Sequence, residues 1–205
     1  MDLQLQYATV TFPDARHVLG VRLLPLSVGH ALLLDRIRSP FAPYRAYSLT
    51  ELPGFGDVVE ALWILSRPAS DAASQRVAFR GRATIAAWTM RARLSVRFQP
   101  WRWYTVSDAA EQLLLSARDA RTGPTLWVKD GSDKPQGAPF LASLKVTLMR
   151  FFRCTEREAL DYSLKRALWD TSVWWEMHGS GEIETRDLSY WKPKTDPPDP
   201  CAKAA

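Results

Sequence analysis

The most concentrated chemistry in the chain is a set of arginine side chains in its middle. Residues 72–107 contain seven arginines and no aspartate or glutamate, although the whole chain has a net charge of only +5. A guanidinium group is a planar cation that binds carboxylates or phosphates through paired hydrogen bonds and stacks on aromatic rings. Such an arginine segment is typical of a surface for a polyanion or an acidic partner protein. The favoured interpretation is a solvated face with counter-charges from elsewhere in the fold, and the binding surface is the alternative. The arginines are Arg76, Arg80, Arg82, Arg91, Arg93, Arg97 and Arg102.

Tryptophan is the second unusual residue type, with nine among 205 residues. Trp101 and Trp103 lie beside the arginines, and this mixture is typical of grooves that bind single-stranded nucleic acid. Trp174 and Trp175 are adjacent in the last predicted helix. Large rings with one polar atom are also enriched among the anchors of protein interfaces. Core packing is the first interpretation of these rings, a protein interface the second and nucleic-acid binding the third.

Residues suited to catalysis or metal binding are few and dispersed. His17, His30 and His178 fit no metal-binding spacing, and His30 is expected to be a hydrogen-bonded structural residue. Cys154 precedes a predicted helix start, which can lower a thiol pKa, but a small buried residue is the favoured interpretation. The helical carboxylates are expected to scatter rather than form an acid–base pair; they are Glu156, Glu158, Asp161, Asp170 and Glu176. We therefore expect no enzymatic activity, no metal and no cofactor.

Hydrophobic periodicity predicts a mainly helical fold with a small β element at the N-terminus, and an α+β class is the alternative. Residues 3–12 alternate as a strand does, and 20–26 could return as their partner. Ser27 is predicted to cap a helix that extends to about Arg38. An apolar helix follows at 57–66. One long helix, or two with a break at Gly81, is expected over 70–97.

The C-terminal half predicts further helices on either side of one long loop. This loop, at 121–139, is rich in Gly and Pro and is the best internal boundary, with a short strand at 125–129. Thr155 and Glu158 fit the capping-box pattern at a helix start. Ser163 is expected to cap the last helix. The predicted helices cover 109–118, 140–153, a short segment after Thr155, and 164–178.

Two passages of the sequence resemble a known class of proteins. The first is LLPLSVGHALLL at 23–34, followed by SPF at 39–41, and the second is ALDYSLKRALWDTSVWWEMHG at 159–179. Together they resemble small proteins encoded among the tail genes of bacteriophages and prophages, in particular tail assembly chaperone-like proteins. The resemblance implies a non-enzymatic helical protein that binds other tail proteins. The arginine segment and the C-terminal tail lie outside it, which leaves a structural role in the neck or tail of the virion equally open.

These observations lead to one set of expectations. Residues 1–191 are expected to form one domain, and 192–205 a Pro-rich flexible tail. The expected function is phage-type assembly or virion structure through protein–protein binding without catalysis. Its partners would be other phage tail or virion proteins, or further copies of the chain. The alternative is nucleic-acid binding by the arginine segment over 76–102. No apolar run is long enough to span a membrane, so we expect no membrane partner and a location in the host cytoplasm or the virion.

Overall fold

The described part of the chain is mainly helical, with a two-stranded antiparallel hairpin near its N-terminal end, as the sequence predicted. The structure is a computed structural model. It describes residues 7, 8, 10, 16–44, 53–73, 88, 89, 92, 93, 106–124, 126–128, 139–179 and 181–183. The predicted tail at 192–205 and most of the predicted helix over 70–97 lie outside these residues.

The N-terminal hairpin uses other residues than those expected. Strand β1 (Arg16–Val18) pairs with strand β2 (Val21–Leu23) in antiparallel register. Leu19 and Gly20, which connect them, have positive φ angles of 50° and 74°. Positive φ at both central residues is the mark of a type I′ turn, whose twist matches that of the two strands. This turn gives β2 an adjacent partner, and the predicted strand over 3–12 is wrong where the structure describes it, because positions 7, 8 and 10 are helical.

Helices make up most of the remaining described chain. They are α1 (Val28–Arg36), α2 (Phe55–Leu65), α3 (Val106–Ala120), α4 (Phe140–Phe151), α5 (Glu156–Asp161) and α6 (Leu164–Met177). A helical turn also begins at Ala69. A second two-stranded antiparallel sheet pairs β3 (Leu126–Val128) with β4 (Gly181–Ile183), and only β3 was expected from the sequence. Among the helices described, none is long and apolar enough to cross a membrane.

The helix caps predicted for α1 and α5 are confirmed. The Ser27 hydroxyl accepts a hydrogen bond of 3.2 Å from the His30 backbone N–H. The Thr155 hydroxyl accepts one of 3.3 Å from the Glu158 N–H, and the Glu158 carboxylate accepts one of 2.8 Å from the Thr155 N–H. These bonds satisfy amides that the first turn of a helix leaves free, so both helix starts are encoded locally.

Helices α4 and α6 begin at the predicted residues, Phe140 and Leu164. Pro139 occupies the capping position before α4. Ser163 occupies the capping position before α6, but its side chain makes no capping hydrogen bond. Beyond the other end of α6, Gly179 has a φ of 72°, as expected of a glycine that ends a helix.

Helix α1 is the centre of the core. It packs against α2, α4, α5 and α6, and its Val28, Ala31 and Leu34 are fully buried. The starts of α1 and α6 are joined directly, because the Val28 N–H donates to the Tyr162 carbonyl at 3.0 Å and the Leu164 N–H donates to the Leu26 carbonyl at 2.8 Å. This pairing places the first turn of α6 beside the segment that follows β2.

Candidate binding surface

The C-terminal ends of α4 and α6 meet in a stack of aromatic rings. The ring centroids of Phe151 and Trp174 are 4.2 Å apart, and those of Trp174 and His178 are 4.0 Å apart. The Nδ1 atom of His178 lies 2.7 Å from the Trp174 carbonyl oxygen, so Nδ1 donates its proton to that oxygen. Phe151 is 42% exposed, and Met177, one turn from Trp174, is 78% exposed. We name Phe151, Trp174, Met177 and His178 the aromatic patch.

The patch follows from the spacing of residues on α6. Trp174 and His178 are four residues apart, which places their rings side by side on one helix face. Leu164, Ala167 and Trp169 are buried in the same helix. Helix α6 therefore contributes apolar side chains to the core and leaves a further aromatic surface partly open to solvent.

The border of the patch on the α4 side is cationic. The Arg150 guanidinium carbon lies 5.5 Å from the centroid of the Phe151 ring. Arg153 follows one turn later, is exposed, and has a φ of 54°. Neither arginine forms an ion pair with any residue that the structure describes. Both guanidinium groups are exposed, so a partner at the patch can reach them.

A second site, which is polar, lies near the N-terminal end of α6. Three elements, β1, α3 and α6, meet there at Asp119 of α3. Its carboxylate binds Arg16 of β1 at 3.1 Å (Oδ2 to Nη2) and Lys165 of α6 at 2.9 Å (Oδ1 to Nζ). Arg16 also donates from Nη1 to the Ser116 hydroxyl at 3.0 Å. These four side chains, which we name the Asp119 cluster, border a cavity of about 300 Å³.

A third group of polar side chains surrounds Asp170 in the middle of α6. Its carboxylate accepts hydrogen bonds from the Tyr7 hydroxyl at 2.9 Å and from the Tyr162 hydroxyl at 2.5 Å. The Arg166 Nε donates to the same carboxylate at 3.3 Å. Burial, and then the bond to Asp170, raise the pKa of Tyr162 well above its ordinary value. Tyr162 therefore stays protonated and acts as a hydrogen-bond donor that fixes the start of α6.

His30 is a satisfied core residue, as the sequence predicted. Its Nδ1 accepts from the Ser27 backbone N–H at 3.1 Å, and its Nε2 lies 2.8 Å from the Arg67 carbonyl oxygen. The acceptor at Nδ1 and the carbonyl at Nε2 together assign the neutral tautomer with its proton on Nε2. Burial lowers the pKa of His30, which keeps the ring neutral.

Cys154 is not an activated thiol. Desolvation, followed by the nearby negative charge of Glu158, raises its pKa. Its side chain is partly buried and packs against the core. The lowered thiol pKa that a following helix start can give is therefore not found at Cys154.

The structure describes only part of the predicted site. Arg93 is exposed, next to the buried Ala92. Trp174 belongs to the aromatic patch, and Trp175 is half-buried. The proximity of the arginines to the tryptophans stays a prediction, because the other candidates lie outside the described residues: Arg76, Arg80, Arg82, Arg91, Arg97, Arg102, Trp101 and Trp103.

Sequence reasoning did not identify the Asp119 cluster. Arg16 and Asp119 are 103 positions apart, and Lys165 and Asp119 are 46 positions apart. None of these residues belongs to a local motif. The only signal in the sequence was the opposite charge of residues that lie far apart in the chain, and such pairs are frequent in any soluble protein.

The described residues include no group of three or more His, Cys, Asp or Glu side chains that could hold a metal ion. Comparison of the chain with protein-family models, with curated proteins and with solved structures found no match.

Proposed function

We propose that this chain acts by binding another protein through the aromatic patch, as an assembly or structural component of the phage type and without catalysis. The observation that carries the proposal is the exposure of large apolar side chains at one place on two adjacent helix ends. Contiguous apolar surface on a folded protein is typical of interaction sites.

The geometry of the patch suits an interface anchor. The Trp174 ring packs against both Phe151 and His178, whose ring centroids are 4.2 Å and 4.0 Å away. A ring held by its neighbours loses little conformational entropy when a partner covers it. Tryptophan is also the residue type most enriched at the energetic centres of protein interfaces. Trp174 is therefore the expected centre of the contact.

The surroundings of the patch indicate the chemistry of the partner. Arg150 and Arg153 are exposed at its edge. Charges at the rim of an interface guide association and select partners with the opposite sign. The partner is expected to present an apolar surface that covers the rings and acidic side chains that meet the two arginines.

The phage-type role is supported by the sequence resemblance over 23–34 and 159–179. The second passage contains Trp174, Met177 and His178, so the resemblance includes most of the patch. Under this proposal, the partners are other tail or virion proteins. The arginine segment remains the basis of the alternative function, nucleic-acid binding.

The proposal is tested by co-expressing the chain with each protein encoded by the neighbouring genes and measuring affinity by surface plasmon resonance. The double variant Phe151→Ser, Met177→Ser should bind its partner at least about tenfold more weakly. Its melting temperature should stay within about 3 °C of the parent, because both side chains are exposed. The matched control is Leu115→Ser, which removes a side chain that is 46% exposed on α3 and should leave binding unchanged.

Two results would overturn the proposal. One is a double variant that binds every partner as tightly as the parent does. The other is a Leu115→Ser variant that weakens binding as much as the patch variant, because the effect would then be a general one of lost apolar surface.

A further inference from the structure

The cavity beside the Asp119 cluster combines an apolar wall with a polar rim. Leu23, Leu26, Leu65 and Ala120 line it and are all buried. Arg16 and Lys165 stand at its rim, with 48% and 25% of their side chains exposed. Its volume of about 300 Å³ is at the small end of the range for small-molecule sites. The cavity therefore suits a small ligand with one apolar and one polar end.

Within the described part of the chain, the rim has more positive than negative charge. Two cations, Arg16 and Lys165, share the single carboxylate of Asp119, which leaves one positive charge without a counter-charge among the described residues. Arg16 donates one N–H to Asp119 and one to Ser116, and Lys165 donates one to Asp119. A guanidinium and an ammonium group both have further donors. These donors and the net charge favour an anionic acceptor at the rim.

We propose that this cavity binds a short aliphatic carboxylate, with the carboxylate on Arg16 and Lys165 and the alkyl group against the leucines. A carboxylate accepts charge-assisted hydrogen bonds from both cations, which are stronger than bonds between neutral groups. The alkyl group gains free energy when the leucine wall removes it from water. The same chemistry is available from a free carboxylic acid or from the C-terminal residue of a peptide chain.

This site is separate from the aromatic patch. Lys165 is in the first turn of α6 and Trp174 is nine residues further on, which corresponds to about 14 Å along the helix axis. The two sites can therefore be disabled independently. Failure of one proposal leaves the other unaffected.

The test measures binding of hexanoate to the full chain by calorimetry and by amide chemical shifts in NMR spectra. Hexanol is the neutral probe of the same length. A pentapeptide ending in leucine, with a free or an amidated C-terminus, distinguishes a chain end from a free acid. Hexanoate should bind at least about tenfold more tightly than hexanol, because it alone gains the charge-assisted bonds. Shifts should be largest at Leu23, Ala120 and Lys165.

Variants of Lys165 connect binding to the rim. Lys165→Gln should weaken hexanoate binding by about tenfold, and Lys165→Arg, which keeps the charge, should retain most of it. Lys145→Gln is the matched control. Lys145 is 27% exposed and binds Glu156 at 2.9 Å, so its removal also breaks an ion pair of a partly buried lysine. It should leave hexanoate binding unchanged, and circular dichroism should confirm that all three variants fold.

Either carboxylate probe supports the site, and their comparison identifies the source of the ligand. Equal binding of hexanoate and hexanol would overturn the proposal, as would the absence of binding by both hexanoate and the free-acid peptide. Unchanged hexanoate binding by a folded Lys165→Gln variant would also overturn it.

Discussion

Gly29 of α1 lies so close to Leu160 of α5 that a Cβ atom at position 29 would be 2.7 Å from the Leu160 carbonyl oxygen. The same atom would be 2.7 Å from the Ala69 Cβ. Three segments of the chain, α1, α5 and the turn at Ala69, therefore meet at the Cα atom of Gly29. The close approach also allows the Val28 N–H to reach the Tyr162 carbonyl. Glycine is required at position 29 because there is no space for a side chain. Its conformational freedom is not needed, since residue 29 has an ordinary helical backbone.

Gly29→Ala is expected to destabilise the protein by about 1–3 kcal/mol, because α5 or the Ala69 turn must move to admit the methyl group. The measurement is the free energy of unfolding in urea. Gly56→Ala in α2 is the matched control, since a Cβ there would have no heavy atom within 4 Å beyond its chain neighbours and the adjacent backbone of its own helix. Alanine at position 56 should stabilise the protein by about 0.5–1 kcal/mol through its higher helix propensity. Equal effects at both positions would contradict the packing argument.

The helices were largely predictable because their signals are local. Ser27 and the Thr155–Glu158 pair mark helix starts through bonds between residues three positions apart. The alternation over 3–12 predicts the wrong N-terminal hairpin, because the pairing of β1 with β2 is fixed by the short turn at Leu19 and Gly20. Strand β4 has only three residues, which is too few for a periodic pattern to be recognised.

The candidate sites were predictable only where one helix contains them. Trp174 and His178 lie on one face of α6, and the sequence identified the first of them. The contribution of Phe151 depends on how α4 crosses α6. The Asp119 cluster depends on the positions of three elements, one of them a hairpin that the sequence placed elsewhere. No local pattern records such relationships, because they are set by tertiary packing.

His30 predicts a dependence of stability on pH. Burial holds its pKa below the ordinary value of about 6.5, so the unfolded chain binds a proton more readily than the folded one. Its contribution to stability is complete above pH 6.5 and is lost as the pH falls through that value toward the folded-state pKa. The free energy of unfolding should fall below pH 6.5 by up to about 1.4 kcal/mol per pH unit.

The measurement is urea unfolding between pH 5 and pH 8, together with NMR titration of the His30 ring. His30→Gln should reduce the slope below pH 6.5, whereas His178→Gln, a change at an exposed ring, should keep it. A His30 ring that titrates at or above 6.5 in the folded protein would contradict the prediction.

Two tryptophans of α6 are expected to differ sharply in their effect on stability. Trp169 is only 5% exposed and its ring lies 6.1 Å from that of Tyr7. Trp169→Ala should therefore cost about 3–5 kcal/mol. Trp174→Ala removes a half-buried ring and should cost no more than about 2 kcal/mol. The measurement is thermal and urea unfolding of both variants. Equal losses of unfolding free energy would show that Trp174 is a core residue and a poor candidate for the interface.

The bonds around Asp170 predict coupling between Tyr162 and Asp170. Only 11% of the Asp170 side chain is exposed, and its carboxylate accepts from two tyrosine hydroxyls and from Arg166. Asp170→Asn removes the charge that strengthens these bonds, and it should cost about 1–3 kcal/mol of unfolding free energy. Asp35→Asn, at an exposed position of α1, is the control and should change stability by less than about 0.5 kcal/mol.

A double-mutant cycle isolates the bond itself. Tyr162→Phe leaves the ring in place and removes only the hydroxyl that donates to Asp170. If the hydroxyl acts through Asp170, the double variant should lose less than the sum of the single losses, by about 0.5–2 kcal/mol. Additive losses would mean that Tyr162 stabilises the start of α6 through ring packing alone, and that Asp170 is held by Tyr7 and Arg166.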